Sequence, residues 1–572
     1  MTFRRSARWV VAPRQPERAG EWAQKLGISA ITAQVLLNRG LDTVEAAQQF
    51  LNPDLSLLSD PHLLPDLDRA VHCLLAAAQH REKVFIYTDY DVDGLTGGAL
   101  LYRLLTSLGV EVGYFVPHRI EEGYGLHSSG IDAAVQEGAK VLISVDCGTT
   151  NEAEVAYARK HGLEVIIADH HEPGPERPEA LAFINPKRPD SRYPFRDLCG
   201  AGVAFKLGCA LTTALGYPWQ TAARAFLDLV ALGTICDLVP LLHENRFFAK
   251  EGLQYLATSR KIGLQALLEK TRLTGRELTS YHVGFVLGPR LNASGRLGTA
   301  KEAFELLITS DPHRAHELAQ YLHQLNYERQ QEEGRTVEEA QALVEEEKHL
   351  ERGKALVLAS RGWHLGVVGL VASRLVERYH RPTVVIAIGP DEARGSARSI
   401  PEFHLLNALR ECGDVLLQCG GHEYAAGLSL EPDRIEEFRQ RFNAVADQWL
   451  RPEDLRPKVE VDAVVRPPAV TLALAEELAG LGPFGQGNPP PVLACRDLRV
   501  VEASRMGPEG QHLCLQVRAG ESQFRCLGWR RGMWADWLKP GEQVALSFTP
   551  EVDEWQGQRR LQLVIRDLKR RR

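Results

Sequence analysis

The stretch YTDYDVDGLTG places three carboxylates, Asp89, Asp91 and Asp93, at alternate positions. The apolar run KVFI comes directly before it, and Gly94 and a helical leucine pattern follow. Three negative charges at the end of a buried strand repel one another unless a cation neutralises them. The crowding of these carboxylates therefore predicts a metal site.

Further metal-ligand residue types follow the next apolar runs. Asp146 lies at the end of KVLISVDCG, and Asp169, His170 and His171 end LEVIIADHH. Asp237 follows the helical run FLDLVALGTI. Ligands of doubly wound sheets bind at the carboxyl ends of the strands, so these side chains are expected on one rim. Carboxylates combined with imidazoles suit Mn²⁺ or Mg²⁺ better than zinc, which favours thiolates.

The elements that must position these residues follow from apolar periodicity. From Lys83 to about Pro240, strand runs alternate with helical patterns, which is typical of a doubly wound parallel sheet. The residues before this region carry short helical signals and no strand signal, and a charged helical stretch follows it. The fold class expected is a multidomain α/β protein. Its predicted domains are a helical lead-in over 1–80, the doubly wound domain over 81–299, a solvent-exposed connecting helix over 300–350, a second α/β domain over 351–455 and a β-barrel of about five strands over 456–572.

Length and composition limit the classes of function. A chain of 572 residues exceeds one ordinary core, so several domains are expected. No apolar run approaches the roughly 20 residues that a transmembrane helix needs. Ten cysteines without a Cys-x-x-Cys pair favour reduced thiols in a cytoplasmic protein over a disulfide framework or a structural zinc. Because the net charge is −7, any affinity for nucleic acid must come from a local basic surface.

The motifs also resemble a known family. DYDVDG, DCGT, DHH and Asp237 resemble the four motifs of the DHH phosphoesterase superfamily, and the full set is similar to its RecJ branch of single-strand-specific 5′→3′ DNA exonucleases. The segments LLNRGLDTVEAAQQFLNPDL, GPRLNASGRLG, GSARSI, GGHEYAAG and LGPFGQGNPPP extend the resemblance over essentially the whole chain. One position departs from the superfamily pattern. Tyr87 stands where many members have a histidine, and Asp89 is expected to supply the missing ligand.

The resemblance implies a pair of Mn²⁺ or Mg²⁺ ions bridged by Asp146. Two ions about 4 Å apart activate a water molecule and stabilise the charge that develops on a phosphate. His171 would donate a hydrogen bond to the scissile phosphate, so that the expected catalytic residues are Asp146, His170 and His171. The other ligands divide between the two ions, with Asp93, His170 and Asp237 in one site and Asp89 and Asp91 in the other.

The resemblance further implies a pocket for the 5′-phosphate of the strand. Guanidinium groups together with amides beside glycine are suited to a terminal phosphate. His422 in GGHEYAAG is expected to contact the substrate, whereas Tyr424 is expected in the core. The expected members of the phosphate pocket are Arg119, Arg296, Ser396 and Arg398.

The C-terminal barrel resembles an OB-fold, a common platform for single strands. Trp529, Arg530, Arg531 and Trp534 interleave aromatic and cationic side chains, a mixture that stacks bases while neutralising phosphates. Tryptophans are more often core residues, so both interpretations stay open at this stage. The candidate platform comprises Trp529, Arg530 and Arg531.

The function expected from these features is 5′→3′ hydrolysis of single-stranded DNA in repair and recombination. A 5′-ended single strand is the expected substrate, and a single-strand-binding protein and a helicase are the expected partners. A monomer without membrane association is expected. One alternative is a DHH phosphodiesterase for short oligonucleotides or cyclic dinucleotides, but such enzymes are usually shorter and need no barrel. The other is a non-catalytic DHH-derived replication scaffold, which would have lost metal ligands that are all present here.

Overall fold

The computed structural model describes residues 7–555 and 557–570, and these form two compact units. The barrel unit comprises the chain up to Leu57, the segment Pro240–Phe247 and the chain from Arg456 onward. The central unit comprises Leu58–Val239 and Phe248–Leu455. Within the described ranges no helix combines the length and apolar character needed to cross a bilayer. All ten cysteines are free thiols.

The central unit contains a parallel sheet of five strands, as the alternation of strand and helix predicts. The strand that comes first in the chain lies between the second and the third, which is the 2-1-3-4-5 order of a doubly wound fold. The strands Val84–Thr88 and Val141–Val145 are buried along their whole length, because helices cover both faces of the sheet. In spatial order the strands are Val112–Phe115, Val84–Thr88, Val141–Val145, Glu164–Ala168 and Ala182–Ile184.

Apolar helices cover this sheet and continue beyond it. The helix Gly200–Ala214 is almost wholly buried and contacts the helix Val92–Ser107, which follows the first strand of the sheet. The helices before and around the sheet are Leu67–His80, Val92–Ser107, Ser128–Gln136, Glu152–Lys160, Gly200–Ala214 and Gln220–Cys236. Those that follow are His243–Ala257, Ile262–Lys270, Ser280–His282, the π-helical turn Val283–Leu287, Gly288–Leu297 and Lys301–Ile308.

The long helix Pro312–Glu346 lies in the stretch expected to form a connecting helix. It is not exposed on all sides, because Ala315, Leu318, Leu322 and other residues at helical spacing are buried. This stripe contacts the helices Ile262–Lys270, Gly288–Leu297 and Leu365–Tyr379. The expectation of a solvent-exposed helix is therefore wrong for one face, where widely spaced apolar residues form a packing stripe within a polar sequence.

A second, mixed sheet follows in the central unit, in agreement with a second α/β domain. The first two strands in chain order, Leu356–Ser360 and Thr383–Ile388, pair in parallel, and all other neighbouring strands of this sheet are antiparallel. In spatial order the strands are Gln418–Gly421, Ala425–Leu430, Ala393–Arg398, Thr383–Ile388 and Leu356–Ser360. The helices of this region are His349–Arg352, Leu365–Tyr379, Leu405–Arg410 and Ile435–Trp449.

The barrel unit contains the expected five-stranded barrel. The sheet closes because its first strand, Leu493–Met506, pairs with both His512–Ala519 and Gln543–Trp555. A short strand, Ala463–Val464, pairs in parallel with the beginning of Leu493–Met506. In order around the barrel the strands are Leu493–Met506, His512–Ala519, Ser522–Gly528, Gln558–Arg570 and Gln543–Trp555. This closed arrangement confirms the OB-like prediction.

The N-terminal helices share the hydrophobic core of this barrel. Trp22, Leu36 and Phe50 belong to the same buried cluster as Leu546 and Phe548 of a barrel strand. The helices of the barrel unit are Pro16–Leu26, Ala30–Asn38, Val44–Leu51 and Leu472–Ala479.

The N-terminal region also contains one strand. Arg8–Val11 pairs in parallel with Lys458–Val461. The expectation that this region lacks strands is wrong here, because the four residues find their partner about 450 positions further along the chain and carry no local hairpin signal.

Candidate metal centre

The metal-ligand residues gather where the strand order of the parallel sheet reverses. Val84–Thr88 and Val141–Val145 are neighbours at this point, and Asp89 and Asp146 directly follow them. Doubly wound folds open a crevice at the carboxyl ends of such strands. Asp146 has a φ of 64°, a left-handed conformation that Asp tolerates better than most residues. Both strand ends therefore deliver a carboxylate to one crevice.

The spacing of the first motif follows from a helix cap. Asp91 is the N-cap of Val92–Ser107, and its carboxylate accepts hydrogen bonds from Asp93 N at 2.8 Å and Gly94 N at 3.4 Å. A Cβ on Gly94 would lie 2.7 Å from the Asp89 carbonyl oxygen, so only glycine fits behind the first aspartate. The cap and the glycine hold the three carboxylates of the motif close together.

The start of a second helix holds Asp93. Its carboxylate accepts hydrogen bonds from Gly200 N at 2.5 Å and Ala201 N at 2.9 Å. These amides begin the helix Gly200–Ala214, where the partial positive charge of a helix N-terminus favours an anion. A Cβ on Gly200 would lie 2.7 Å from Asp146 Oδ1, so glycine at this position leaves the space that the Asp146 carboxylate occupies. The motif analysis of the sequence did not include these two amides.

The structure brings together all six metal ligands expected from the sequence. His170 Nε2 lies 3.1 Å from Asp146 Oδ1, 3.6 Å from Asp237 Oδ2 and 3.8 Å from Asp93 Oδ2. Among the described residues there are three groups, and within each group the potential ligand atoms lie within 4.8 Å of one another. The groups are Asp93, His170 and Asp237; Asp89, Asp91 and Asp146; and Asp146, Asp169, His170 and His171. The first two groups are the two sites that the family resemblance implies, with Asp146 beside both.

Several atoms of this cluster lack the partners that buried polar atoms normally have. Asp89 Oδ1, Asp146 Oδ1 and His170 Nε2 are buried without a hydrogen bond. Leaving a polar atom buried and unpaired costs about 1–3 kcal/mol, and more for a charged group. Hard oxygen donors with one imidazole are ligands that Mn²⁺ and Mg²⁺ accept. The donor set therefore fits divalent cations of this kind.

The electrostatics of the carboxylates lead to the same conclusion. Burial and the neighbouring Asp91 raise the pKa of Asp89 to about 8 and that of Asp93 to about 6. Burial and repulsion by Asp93 and Asp91 also raise the pKa values of Asp146 and Asp237 well above the usual range. Without a counter-ion, the cluster favours bound protons, and a divalent cation would replace them.

The two histidines of the DHH motif have pKa values shifted in opposite directions. Burial and the neighbouring His171 lower the pKa of His170 to about 3, so its ring is neutral, as a metal ligand must be. Burial also lowers the pKa of His171, but Asp169 outweighs this and raises it above the ordinary histidine value. His171 is therefore the better hydrogen-bond donor of the pair.

Asp169 and Tyr124 orient His171. Nδ1 of His171 lies 2.8 Å from Asp169 Oδ1 and 2.9 Å from the Tyr124 hydroxyl. Asp169 also accepts a hydrogen bond from Thr149 N at 3.0 Å. The sequence analysis expected Asp169 on the same rim but did not assign it to either metal site, and it did not include Tyr124. The only local signal for Tyr124 is its place between two glycines in the stretch that also carries Arg119.

Tyr87, which stands at the position of the usual superfamily histidine, is a fully buried residue of the strand Val84–Thr88. Its hydroxyl donates to Gly125 O at 2.8 Å, and burial raises its pKa far above the ordinary tyrosine value. Tyr87 is therefore a neutral residue with a hydrogen-bonded hydroxyl, within a strand that has a neighbour on each side. Asp89 lies in the group with Asp91 and Asp146, where the prediction places the substitute ligand.

The arginines expected to bind the 5′-phosphate lie near one another in the central unit. The Arg119 guanidinium carbon lies 4.8 Å from the ring centre of Tyr90, which follows Asp89. Arg296 Nη1 donates to Gly366 O at 3.1 Å. Burial and repulsion by Arg119 lower the pKa of Arg296 to about 9. Because the charge of Arg119 acts on Arg296, the two arginines belong to one cationic cluster.

Arg398 and Ser396 complete this cluster on the second sheet. Arg398 Nη1 donates to Ser396 Oγ at 3.0 Å, and burial and Arg119 lower the pKa of Arg398. A Cβ on Gly369 would lie 3.0 Å from Ser396 Oγ and 3.2 Å from Arg398 Nη2. In the described part of the chain, no carboxylate lies within 4 Å of the guanidinium nitrogens of Arg119, Arg296 or Arg398. This arginine cluster is thus cationic without an acidic partner.

His422 lies apart from these contacts, in the hairpin between Gln418–Gly421 and Ala425–Leu430. Its backbone amide donates to Ala425 O at 2.8 Å, and its side chain is exposed. The hairpin is next to the strand of Ser396 and Arg398. Tyr424 is 49% exposed, so the expectation that it is a core residue is wrong, because it lies at the hairpin tip.

The three candidate platform residues of the barrel have different surroundings. Trp529 is 50% exposed and packs edge-on against His512 at 4.9 Å, and the Arg530 amide donates to His512 Nδ1 at 3.0 Å. Arg531 instead lies 4.4 Å from the Trp534 ring and 4.0 Å from Asp567. Trp529 and Arg530 are accessible, whereas Arg531 is occupied by contacts within the barrel.

Comparison with known proteins first defines the class. The DHH family N-terminal domain matches residues 83–234, the DHHA1 domain matches 352–448 and the RecJ OB domain matches 461–567. The metal centre and the barrel thus lie in a DHH protein with an OB domain. The chain belongs to the RecJ family, because relatives of that name match it over nearly its whole length.

Two relatives show the extent of the match. The single-stranded-DNA-specific exonuclease RecJ of Bacillus subtilis is 37% identical over 562 residues, which are 98% of this chain and 70% of the relative. The protein of the same name from Thermus thermophilus is 36% identical, over 95% of this chain and 76% of the relative.

Solved structures agree with this assignment. The crystal structure of RecJ in complex with Mn²⁺ from Thermus thermophilus has a TM-score of 0.85 and 33% identity, over 99% of this chain and 80% of the other. A complex with Mg²⁺ from the same source has a TM-score of 0.78 and 31% identity, over 99% of this chain and 79% of the other. Proteins of this fold therefore hold the cations that the donor set fits.

Proposed function

We propose that this protein is a metal-dependent exonuclease that hydrolyses single-stranded DNA in the 5′→3′ direction with two Mn²⁺ or Mg²⁺ ions. The observation that carries the proposal is the cluster of five aspartates and one histidine, in which Asp89, Asp93, Asp146 and Asp237 have raised pKa values and Asp89 and Asp146 each have an unpaired oxygen. The names of the family relatives support the substrate.

In this mechanism the chain positions the groups around a phosphodiester. The ions, when bound, activate a water molecule and stabilise the charge on the phosphate and the leaving oxygen. Asp146 belongs to the group with Asp89 and Asp91, and its Oδ1 lies 3.1 Å from His170 Nε2 of the other group, so it would bridge the two ions. His171, oriented by Asp169 and Tyr124, donates a hydrogen bond to a non-bridging oxygen of the scissile phosphate.

The arginine cluster sets the polarity of the reaction. Arg119, Arg296 and Arg398 repel one another, and a terminal phosphate would neutralise them. Cleavage then starts at the phosphorylated 5′ end, because this end is bound beside the metal centre. Ser396 donates a further hydrogen bond to the phosphate, and His422 contacts the strand from the adjacent hairpin.

The barrel provides a second surface for the single strand. Trp529 and Arg530 supply an exposed ring and an exposed cation, which together suit a single strand. We assign the activity to DNA repair and recombination in the cytoplasm, where a helicase and a single-strand-binding protein would supply the strand to the monomeric enzyme.

The proposal is tested with purified protein and Mn²⁺ on single strands labelled at the 5′ or the 3′ end. The 5′ label should be released first as a mononucleotide, while the 3′-labelled strand shortens progressively. Duplex DNA with blunt ends should resist degradation. The control variant Asp433→Asn, at an exposed aspartate, should act like the parent protein. Release of the 3′ label first, or cleavage inside a circular strand, would contradict the proposal.

A further inference from the structure

The strand Ala393–Arg398 of the second sheet presents three polar side chains on one face. Buried positions alternate with partly or fully exposed positions along this strand, so one face packs into the core and the other is accessible. Side chains at alternate positions of a strand point to the same face. The accessible face therefore carries Arg394 together with Ser396 and Arg398, the two candidates for the phosphate pocket.

Arg394 contacts the loop that carries Arg119. Its Nη1 donates a hydrogen bond to Ile120 O at 3.0 Å, and Ile120 directly follows Arg119 in the chain. Arg394 Nε also lies 3.9 Å from Glu392 Oε2, but an ion pair between exposed side chains contributes little. The hydrogen bond to Ile120 thus ties the loop of one phosphate-binding candidate to the strand of two others.

The loop is closed by its own hydrogen bonds. His118 O accepts hydrogen bonds from Glu122 N at 2.9 Å and Gly123 N at 3.3 Å. In return, Glu122 Oε2 accepts a hydrogen bond from His118 N at 2.6 Å. Arg119 and Ile120 lie within this closed turn. A contact that holds the Ile120 carbonyl therefore also places Arg119.

The charge of Arg119 makes such a contact necessary. Burial and the charge of Arg119 lower the pKa values of Arg296 and Arg398, so the three guanidiniums repel one another. A loop free to move would carry Arg119 away from the other two before a phosphate is bound. The hydrogen bond from Arg394 opposes this movement, and its neutral carbonyl acceptor adds no carboxylate that would compete with a phosphate.

We propose that Arg394 is a positioning residue of the phosphate pocket: by holding Ile120 O, it keeps Arg119 beside the other guanidiniums. A pocket that is already assembled binds more tightly, because less freedom is lost on binding. The inference rests on the proposed function and adds to it a residue that acts through Arg119 instead of on the substrate. Loss of Arg394 should therefore weaken binding of the phosphorylated end and leave the chemistry at the metal centre intact.

The test compares steady-state kinetics on 5′-phosphorylated and dephosphorylated single strands with Mn²⁺. Arg394→Ala should raise KM for the phosphorylated strand about tenfold, the effect of losing one hydrogen bond from a charged donor. Its kcat, and both constants for the dephosphorylated strand, should stay the same. Because Arg394 is exposed, the variant should also unfold at the temperature of the parent.

Two single variants keep this test specific. Arg394→Lys keeps a cationic donor on a long side chain and should retain most of the preference for the phosphorylated strand. Arg410→Ala removes another exposed arginine of the same sheet domain and should change neither KM.

A double-mutant cycle shows whether Arg394 acts through Arg119. Arg119→Ala should by itself reduce the preference for the phosphorylated strand. Adding Arg394→Ala to that variant should reduce it no further, because residues that act as one unit do not have additive effects.

The outcomes separate this inference from the proposed function. An unchanged KM in Arg394→Ala would overturn the positioning role. Equal weakening for both strands would overturn it too, since Arg394 would then attract the strand by its charge alone. Additive losses in the double variant would mean that Arg394 acts independently of Arg119. If the parent protein does not prefer the phosphorylated strand, the phosphate pocket of the proposed function is itself wrong, and the inference with it.

Discussion

The acidic cluster and the arginine cluster of the central unit both bring like charges together, negative in the first and positive in the second. In both clusters, burial disfavours the charged form of the side chains. Burial and Asp91 raise the pKa of Asp89 to about 8, whereas burial and Arg119 lower the pKa of Arg296 to about 9. A carboxylate can take up a proton, but a guanidinium stays charged at neutral pH. The acidic cluster therefore changes with pH, and the arginine cluster depends on its ligand.

The two clusters also differ in how they are held. The carboxylates follow adjacent strands and are fixed by a helix cap and backbone amides. The guanidiniums come from three separate segments. Arg296 donates to Gly366 O, and Arg398 donates to Ser396 Oγ and Ala397 O. Removing one acid should therefore disable both metal sites, whereas removing one arginine should weaken a shared pocket.

Loss of the bridging carboxylate should have the largest effect. Asp146→Asn keeps the shape and tolerates the left-handed backbone, but it removes a carboxylate charge that belongs to one ligand group and lies 3.1 Å from His170 of the other. Hydrolysis should fall about 10³-fold or more, because losing one group that stabilises developing charge already costs about 10²–10³-fold. Strand affinity should persist. Single-turnover rates and binding curves measure the two effects, and a turnover near that of the parent would refute the bridging role.

Loss of one guanidinium should have an intermediate effect. Arg398→Ala should reduce the preference for a 5′-phosphorylated strand about 10- to 100-fold, since a hydrogen bond to a charged group contributes about 1.5–3 kcal/mol. Degradation rates of phosphorylated and dephosphorylated strands give this ratio. Arg410→Ala, at an exposed arginine of the same sheet domain, serves as the matched control. An unchanged ratio in Arg398→Ala would show that this residue does not bind the phosphate.

The acidic cluster should make stabilisation by metal depend on pH. The folded-state pKa values of Asp89 and Asp93, about 8 and about 6, exceed ordinary carboxyl values. The metal-free fold should lose stability as pH rises towards 8, because deprotonation favours the unfolded chain. Mn²⁺ binds the deprotonated groups, so it should raise Tm more at pH 8 than at pH 6. Thermal unfolding with and without Mn²⁺ measures this, and a larger shift at pH 6 would be inconsistent with the cluster.

The barrel should give the smallest effect. Trp529→Ala with Arg530→Ala should weaken binding of long strands several-fold and flatten its salt dependence by about 0.7 in the log–log slope. Cleavage of very short oligomers should be unaffected. Substitution is preferable to deleting the barrel, because the N-terminal Trp22 and Phe50 share its core. Unchanged affinity at every salt concentration would mean that this surface binds no DNA.

Strong local signals made much of this structure predictable from the sequence. The doubly wound sheet, the closed barrel and the grouping of all six ligand candidates agree with the sequence analysis. Parallel strands that each end in a ligand residue must deliver those residues to one edge of the sheet. The geometry of the acidic cluster follows from this rule together with the cap at Asp91.

Features that depend on distant contacts could not be predicted. Asp93 is held by amides more than a hundred residues away, and Tyr124 reaches His171 across the crevice. The exposure of Tyr424, which was expected in the core, also depends on the surrounding structure, because the residue lies at the tip of a hairpin. Sequence spacing shows which types are near along the chain, but not which side chain is left uncovered.

Calorimetric titration with Mn²⁺ tests the central claim most directly, because it counts ions without relying on activity. At pH 8 the parent protein should bind two ions per chain, and Asp433→Asn should do the same. Asp146→Asn should lose at least one of these ions or bind both far more weakly. Binding of a single ion by the parent, or two ions bound equally well by Asp146→Asn, would contradict a two-ion centre bridged by Asp146.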